Sequence, residues 1–155
     1  MIPRILIIAG SDSGGGAGIQ ADIKTVTMLG GHAMTAIAAI TAQNTLGVTA
    51  VHPVPVEMVL AQIDAVASDI GIDAVKFGMI GAAQIANAVA DRLEALPSVP
   101  IVVDPVMIAT SGSILADAAT IAAFERLMRR ATVVTPNLPE LEALVGRDAV
   151  LGFGC

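Results

Sequence analysis

The stretch Ile5-Leu-Ile-Ile-Ala-Gly10-Ser-Asp-Ser-Gly-Gly-Gly-Ala-Gly-Ile-Gln-Ala-Asp22 runs from an apolar segment through a glycine-rich turn into a segment with helical character. That order reads as a buried strand, a tight loop and a helix N-terminus. Glycines let backbone N–H groups approach a ligand closely, and a helix N-terminus favours negative charge or a hydrogen-bond acceptor. The loop therefore reads first as a small-molecule site, and a phosphate cradle is its simplest form. It is not a Walker A loop, because no Gly-Lys-Ser/Thr closes it. The glycines at 14, 16 and 18 do not make a clean dinucleotide fingerprint either.

Outward from this stretch, strand and helix signals alternate. Ile5–Ala9 reads as a strand, and Ala17–Leu29 as a helix ended by Gly30-Gly31. Met34–Thr41 reads as a second buried strand, although its alanines also suit a helix, and Val48–Val54 as a short extended excursion. Pro55 suits the first turn of a helix reaching about Ile70, with Val56, Val59, Leu60, Ile63 and Val66 at helical spacing. Ala74–Phe77 follows as a strand. Ile85, Val89, Leu93 and Leu96 mark a helix face, and Ile101–Val103 is a strand ending at Asp104-Pro105. Ile121, Phe124, Leu127 and Met128 form another stripe, Thr132–Thr135 another strand and Pro139–Val145 a short helix. Alternation of this kind implies a doubly wound α/β fold with a mostly parallel sheet, helices on both faces and right-handed crossovers. Such sheets bind ligands beyond the carboxyl ends of their strands. Five strand ends here carry glycine or polar residues: the glycine loop, Gln43-Asn44, Gly78-Met79, Asp104 and Asn137.

The bulk numbers agree. The 155 residues suit one domain, 1–155. Hydrophobic residues make up 55% and charged residues 14%, which suits strands covered on both faces. The apolar runs are too short and too broken by Gly, Pro or Asp to span a membrane, which takes about 20 residues. A net charge of −6, with no Trp or Tyr, argues against nucleic acid as a partner. The single Cys155 excludes an internal disulfide and, with an N-terminus that runs straight into a strand, points to the cytoplasm.

Five segments in this order, Gly10 to Lys24, Thr41-Ala-Gln-Asn-Thr45, Val75-Lys-Phe-Gly-Met-Ile80, Val103-Asp-Pro-Val-Met107 and Thr135-Pro-Asn-Leu-Pro-Glu140, resemble the hydroxymethylpyrimidine/phosphomethylpyrimidine kinases of thiamine biosynthesis, in the ribokinase-like superfamily. The resemblance runs from Arg4 to about Val145. It implies a ribokinase-like fold and ATP-dependent, Mg²⁺-dependent phosphorylation of 4-amino-5-hydroxymethyl-2-methylpyrimidine and then of its monophosphate, by a homodimer. Carried over residue by residue, Gly10, Asp22, Gln43, Met79 and Val106 would line the pyrimidine pocket. Asp104, Asn137 and Glu140 would face phosphates and metal, with Asp104 and Glu140 on the Mg²⁺ side. Family members continue past the Thr-Pro-Asn-x-x-Glu helix into a nucleotide-base pocket and a Gly-Thr-Gly-Cys anion hole. Here Leu151-Gly-Phe-Gly-Cys155 echoes that motif with Phe153 in place of Thr. The expectation is an incomplete domain without the nucleotide-binding and anion-hole portion, in which Cys155 has no catalytic role. Two other readings fit the same residues: a non-catalytic pyrimidine-binding fragment, and a pyridoxal-type kinase, which shares the later motifs but explains the glycine loop and Gln43 less well.

Each candidate also has a plainer reading. Gln43 can serve a ring nitrogen or an exocyclic amine, or simply satisfy loop backbone. Asp22 is a ligand acceptor or a solvated helix position. Met79 and Val106 are pocket wall or core. Asp104 before Pro105 is a metal-side carboxylate or a turn former. Asn137 and Glu140 have the spacing of an N-cap with its capping-box Glu, at a helix start where phosphates would gather; Asn137 is assigned to the cap and Glu140 to the Mg²⁺ shell. Lys24 and Lys76 read as surface lysines, and His32 and His52 receive no role. With Asp22, Gln43 and Met79 beside it, the glycine loop becomes a pyrimidine wall, and the phosphates move to the Asp104–Glu140 end.

Overall fold

Leu6, Ile7, Ile8 and Ala9 are all fully buried, so consecutive side chains on both faces of this strand are covered. A computed structural model describes residues 1–95, 98–106 and 118–146; the expectations for Leu96, Met107 and the 151–155 segment lie outside them. Among the described residues, β1 (Arg4–Asp12), β2 (His32–Asn44), β3 (Gly47–Pro53), β4 (Ala74–Phe77), β5 (Ile101–Val103) and β6 (Val133–Val134) form one sheet in the order β3-β2-β1-β4-β5-β6. All neighbours are parallel except β3, which runs antiparallel to β2 at one edge. The fold expected from the alternation is therefore present, and the excursion at 48–54 is this edge strand.

Side-chain alternation divides the core. Leu6 and Ile8 of β1, with Val75 and Phe77 of β4, face α2 (Val56–Asp69), α3 (Ala83–Glu94) and α4 (Ala118–Met128), whose Val59, Ile63, Ile85, Val89, Leu93, Phe124 and Leu127 fill the larger cluster. Ile7 and Ala9 face α1 (Gly18–Met28) and meet Ile19, Ile23 and Val26. The stripes expected for these helices face the core: Val59, Ile63, Ile85, Val89, Leu93, Phe124 and Leu127 are buried, Val56, Leu60, Val66 and Met128 pack against them partly buried, and Ile121 stays partly exposed. Pro55 sits one residue before α2 rather than inside it. α1 ends as expected: Gly30, at φ +81°, and Gly31 donate to the Thr27 and Val26 carbonyls at 3.0 and 2.9 Å, a Schellman closure that needs a left-handed glycine.

The glycine loop departs from the sequence reading. β1 continues through Gly10 to Asp12, so only residues 13–17 form the loop before α1. The Asp12 carboxylate, nearly buried, accepts from the backbone N–H groups of Gly14, Gly16 and Ala17 at 2.8–2.9 Å. Burial alone would raise the Asp12 pKa, but these N–H groups more than offset it and hold it below its ordinary value. Gln20 of α1 folds back, its Oε1 accepting from the Asp12 N–H at 2.8 Å and its Nε2 donating to the Ser11 hydroxyl at 2.7 Å. Loop and helix start are thus organised by an anion of the protein itself.

A second polar clamp fixes the other end of the sheet. Arg4 pairs with Asp73, its Nε donating at 2.9 Å and a terminal nitrogen at 2.6 Å, and Asp73 also accepts from the Arg4 backbone N–H at 2.8 Å. A further Arg4 nitrogen donates to the Ile70 carbonyl. Hydrogen bonds from the Arg4 side chain, then from its backbone, lower the Asp73 pKa to about 2.

Two predictions follow from these clamps. Because the folded-state pKa of Asp73 lies below the ordinary carboxylate value, its contribution is present at neutral pH and is lost as pH falls through the acid range toward about 2. Asp73→Asn should lower Tm at pH 7, and the gap to wild type should close over that acid range in a pH series of thermal melts. Gly18 starts α1 at φ +55°, and a Cβ there would collide with the Gly10 carbonyl oxygen. Gly18→Ala should cost at least ~1–2 kcal/mol from backbone conformation alone, measured by urea unfolding.

Candidate functional site

The strand ends expected to form a site converge on one cavity of about 380 Å³, a size suited to a small molecule. Gly10, Asp22, Gln43, Met79 and Val106 line it, and so do Asp104, Asn137 and Glu140. Each arrives by a different route. Gly10 lies within β1 and donates its N–H to the Met79 carbonyl at 2.8 Å. A Cβ at Gly10 would stand 2.7 Å from the Met79 methyl, so the missing side chain lets Met79 lie against β1. Gln43 lies inside β2 rather than after it. Its backbone N–H donates to the Ser13 hydroxyl at 2.8 Å while its carbonyl accepts from the same hydroxyl at 2.8 Å. The Thr41 hydroxyl donates to the Ser11 carbonyl at 2.9 Å and to Gln43 Oε1 at 3.2 Å. One proton divided between two acceptors holds the Gln43 amide only weakly, which leaves it able to serve a ring nitrogen or an amine.

Asp104 follows β5, where its N–H continues the ladder to the Phe77 carbonyl at 2.9 Å. The Val106 N–H turns back to the Asp104 carbonyl at 2.9 Å across Pro105, a three-residue turn suited to proline's fixed φ. Thus the turn-former reading of Asp104 describes its backbone, while its carboxylate faces the cavity. Asn137 and Glu140 form the expected capping box at α5 (Leu138–Val145): Asn137 Oδ1 accepts from the Glu140 N–H at 3.0 Å, and Glu140 Oε2 accepts from the Asn137 N–H at 2.9 Å. Glu140 is 3% exposed, and the cap occupies one of its oxygens.

Lys76 corrects the sequence reading, which placed it on the surface. In β4, Val75 and Phe77 point to the α2–α4 face, and alternation sends Lys76 to the α1 face. There its ammonium meets Asp22 Oδ2 at 2.8 Å and Asp104 Oδ2 at 3.7 Å, with its side chain 23% exposed. A lysine between Val75 and Phe77 in a short strand was the available signal, since such a strand is covered on both faces. Asp22 is accordingly a paired carboxylate and not a freely solvated helix residue. Burial raises the Asp104 pKa, with the Asp22 charge adding to the rise and the Lys76 charge opposing it. Lys24 is exposed and donates to the Gly15 carbonyl at 2.7 Å, as a surface lysine would.

Asp104 and Glu140 offer hard oxygen donors, but among the described residues no three His, Cys, Asp or Glu side chains gather as a metal cage. Mg²⁺ usually retains waters and binds through one or two carboxylates together with substrate phosphates. This donor set fits a cation carried in on phosphate. No helix among the described residues is long and apolar enough to cross a membrane.

Comparison with known proteins agrees with this arrangement. The family model described as phosphomethylpyrimidine kinase matches residues 12–151. A hydroxymethylpyrimidine/phosphomethylpyrimidine kinase of Mycobacterium leprae is 53% identical over 151 residues, covering 95% of this chain and 53% of that protein. The chain thus spans about half the length of the curated relatives it matches. The crystal structure of a phosphomethylpyrimidine kinase from Clostridium difficile 630 superposes with a TM-score of 0.86 at 43% identity, over 94% of this chain and 63% of that one. A Staphylococcus aureus pyridoxal kinase in complex with AMP-PCP superposes with a TM-score of 0.81 at 38% identity, over 94% and 53%. With a matching family model over most of its length, and the ribokinase-like sheet of its structural neighbours, this chain belongs to the phosphomethylpyrimidine kinase family.

Proposed function

We propose that this chain carries the pyrimidine pocket, and part of the phosphate end, of an ATP-dependent kinase that phosphorylates 4-amino-5-hydroxymethyl-2-methylpyrimidine and its monophosphate in thiamine biosynthesis. The observation that carries this reading is the meeting of all eight expected site residues, drawn from five chain segments, around one cavity. Family membership supplies the chemistry. The reading takes residues 1–155 as one ribokinase-like domain and places it in the cytoplasm as a homodimer, supported by its acidic charge, its lone cysteine and the family resemblance.

Gln43 holds the ring through its amide, and Asp22 accepts from the amine or the hydroxyl. Gly10, Met79 and Val106 shape the walls. Phosphoryl transfer of this type depends mainly on positioning and on electrostatic stabilisation. Asp104 and Glu140 would hold Mg²⁺, which when bound with ATP neutralises phosphate charge. Asn137 keeps Glu140 in place through the capping box.

Calorimetry with the pyrimidine, without nucleotide, tests the pocket. Wild type should bind, and Gln43→Ala should weaken binding by roughly tenfold or more, the loss expected when a ligand's polar group goes unpaired. Absence of binding by wild type would overturn the pocket assignment. Turnover with ATP and Mg²⁺ separates a kinase from a binding fragment. The pyridoxal-kinase neighbours keep pyridoxal as the comparison substrate, and faster turnover of pyridoxal would favour that second reading.

The elevated Asp104 pKa gives a separate test. A folded-state value above the unfolded one means the ionised carboxylate costs stability, a cost absent in acid that grows as pH rises through the folded pKa. Asp104→Asn should therefore raise Tm at pH 8, the gain should vanish in the acid range, and Mg²⁺-dependent activity should fall.

A further inference from the structure

The cavity is lined by four carboxylates, Asp12, Asp22, Asp104 and Glu140, and among the described lining residues Lys76 is the one basic side chain. Two of the four carboxylates are already engaged by backbone. Asp12 is held by the loop N–H groups, and Glu140 by the Asn137 N–H. The two carboxylates with no backbone partner named above are Asp22 and Asp104, bridged by Lys76 at 2.8 and 3.7 Å. We propose that Lys76 is a specificity-determining residue: by offsetting one of the two negative charges of the Asp22–Asp104 pair, it lets an otherwise more acidic cavity accept a phosphorylated, anionic ligand as well as the neutral alcohol. The inference rests on the pyrimidine-kinase reading above.

The surroundings of Lys76 support a role beyond holding α1 to the sheet. β4 is hydrogen-bonded to β1 on one side and β5 on the other, so the backbone beneath the lysine is fixed. A Cβ at Gly78 would come within 3.0 Å of the Lys76 ammonium and 3.1 Å of the Ala9 methyl; the glycine keeps open the space the ammonium occupies. The ion pair is about a fifth exposed on each side. α1 is also attached to β1 by apolar contacts through Ile19 and Ile23, so the pair is not the one link between helix and sheet. A phosphate monoester carries about −1.5 to −2 charge at pH 7. Two uncompensated carboxylates would repel it, whereas they would not repel the uncharged alcohol.

Calorimetry in metal-free buffer, with the pyrimidine alcohol and its monophosphate as the two probes, tests this. In wild type both bind. Lys76→Met should lower affinity for the monophosphate by roughly tenfold or more beyond any loss for the alcohol, while Lys76→Arg should retain the wild-type ratio. Adding Asp22→Asn to Lys76→Met removes one of the exposed charges and should restore most of the lost ratio, a recovery that a merely structural lysine would not show. Asp22→Asn alone, which does not depend on the folding of the Met variant, should shift the ratio toward the monophosphate. Equal losses for both ligands in Lys76→Met, no recovery in the double variant, an unmoved ratio in Asp22→Asn, or wild type binding the alcohol alone would each overturn the inference. Wild type binding neither ligand would overturn the pyrimidine reading itself.

Discussion

The structure turns on a carboxylate that occupies its own glycine loop. Glycine-rich turns between a strand and a helix commonly serve external anions, because their N–H groups have no other partner. Here Gly14, Gly16 and Ala17 spend theirs on Asp12. That arrangement closes the loop to phosphate and sets the start of α1. It thereby sets the distance at which Asp22, one turn further on, stands over the sheet. Gln20 locks the same junction from the helix side. The ligand-facing geometry of this end is therefore determined by an internal ion, and the cavity beside it is left for uncharged hydrogen-bonding groups.

Electrostatics also separates the two ends of the cavity. At one end Ser11, Thr41, Gln43 and Met79 offer an amide, hydroxyls and apolar wall. The other end gathers Asp104 and Glu140, one with a raised pKa and one held in a helix cap. A carboxylate whose pKa is raised by burial is a common mark of a functional position, because stability is sacrificed there for a later use of the group. Asp73 shows the contrast: it is also a carboxylate, but its pKa is lowered by Arg4, and it serves the architecture.

Much of the fold was legible because periodicity reports burial directly. Leu6 to Ala9 read as a continuous apolar run and are covered on both faces; Val59 and Ile63, or Ile85, Val89 and Leu93, recur at helical spacing and fill the core. Element ends were less legible. β1 and β2 continue into residues that read as loop, Gly10 to Asp12 and Ala42 to Asn44, because pairing across the sheet outweighs the weak strand preference of Gly, Asp and Asn. The eight candidate site residues were identifiable through motif order and resemblance. Lys76 was not, because its role depends on which face of β4 it occupies and on two carboxylates distant in sequence, Asp22 and Asp104. Asp12 escaped notice for a related reason: only the folded loop shows that its partners are backbone groups of its immediate neighbours.

The overhang of β2 has one more consequence. β1 pairs with β2 only as far as Asp12 opposite Thr41. Beyond that point the strand partner of Gln43 and Asn44 is β3, through Val48 and Gly47, after a register shift at Ala42/Gln43, and the Ser13 hydroxyl ties the Gln43 backbone to the glycine loop. Gln43, proposed above to hold the ring, thus stands on a two-stranded projection at the edge of the six-stranded sheet. Ribbons of two strands exchange their amide protons sooner than sheet interiors and tolerate changes in length and sequence. On the proposed reading, ring selectivity is housed in the part of this fold that can be altered with least disturbance to its core, which makes the hairpin a natural place for ligand preference to diverge among proteins sharing this scaffold.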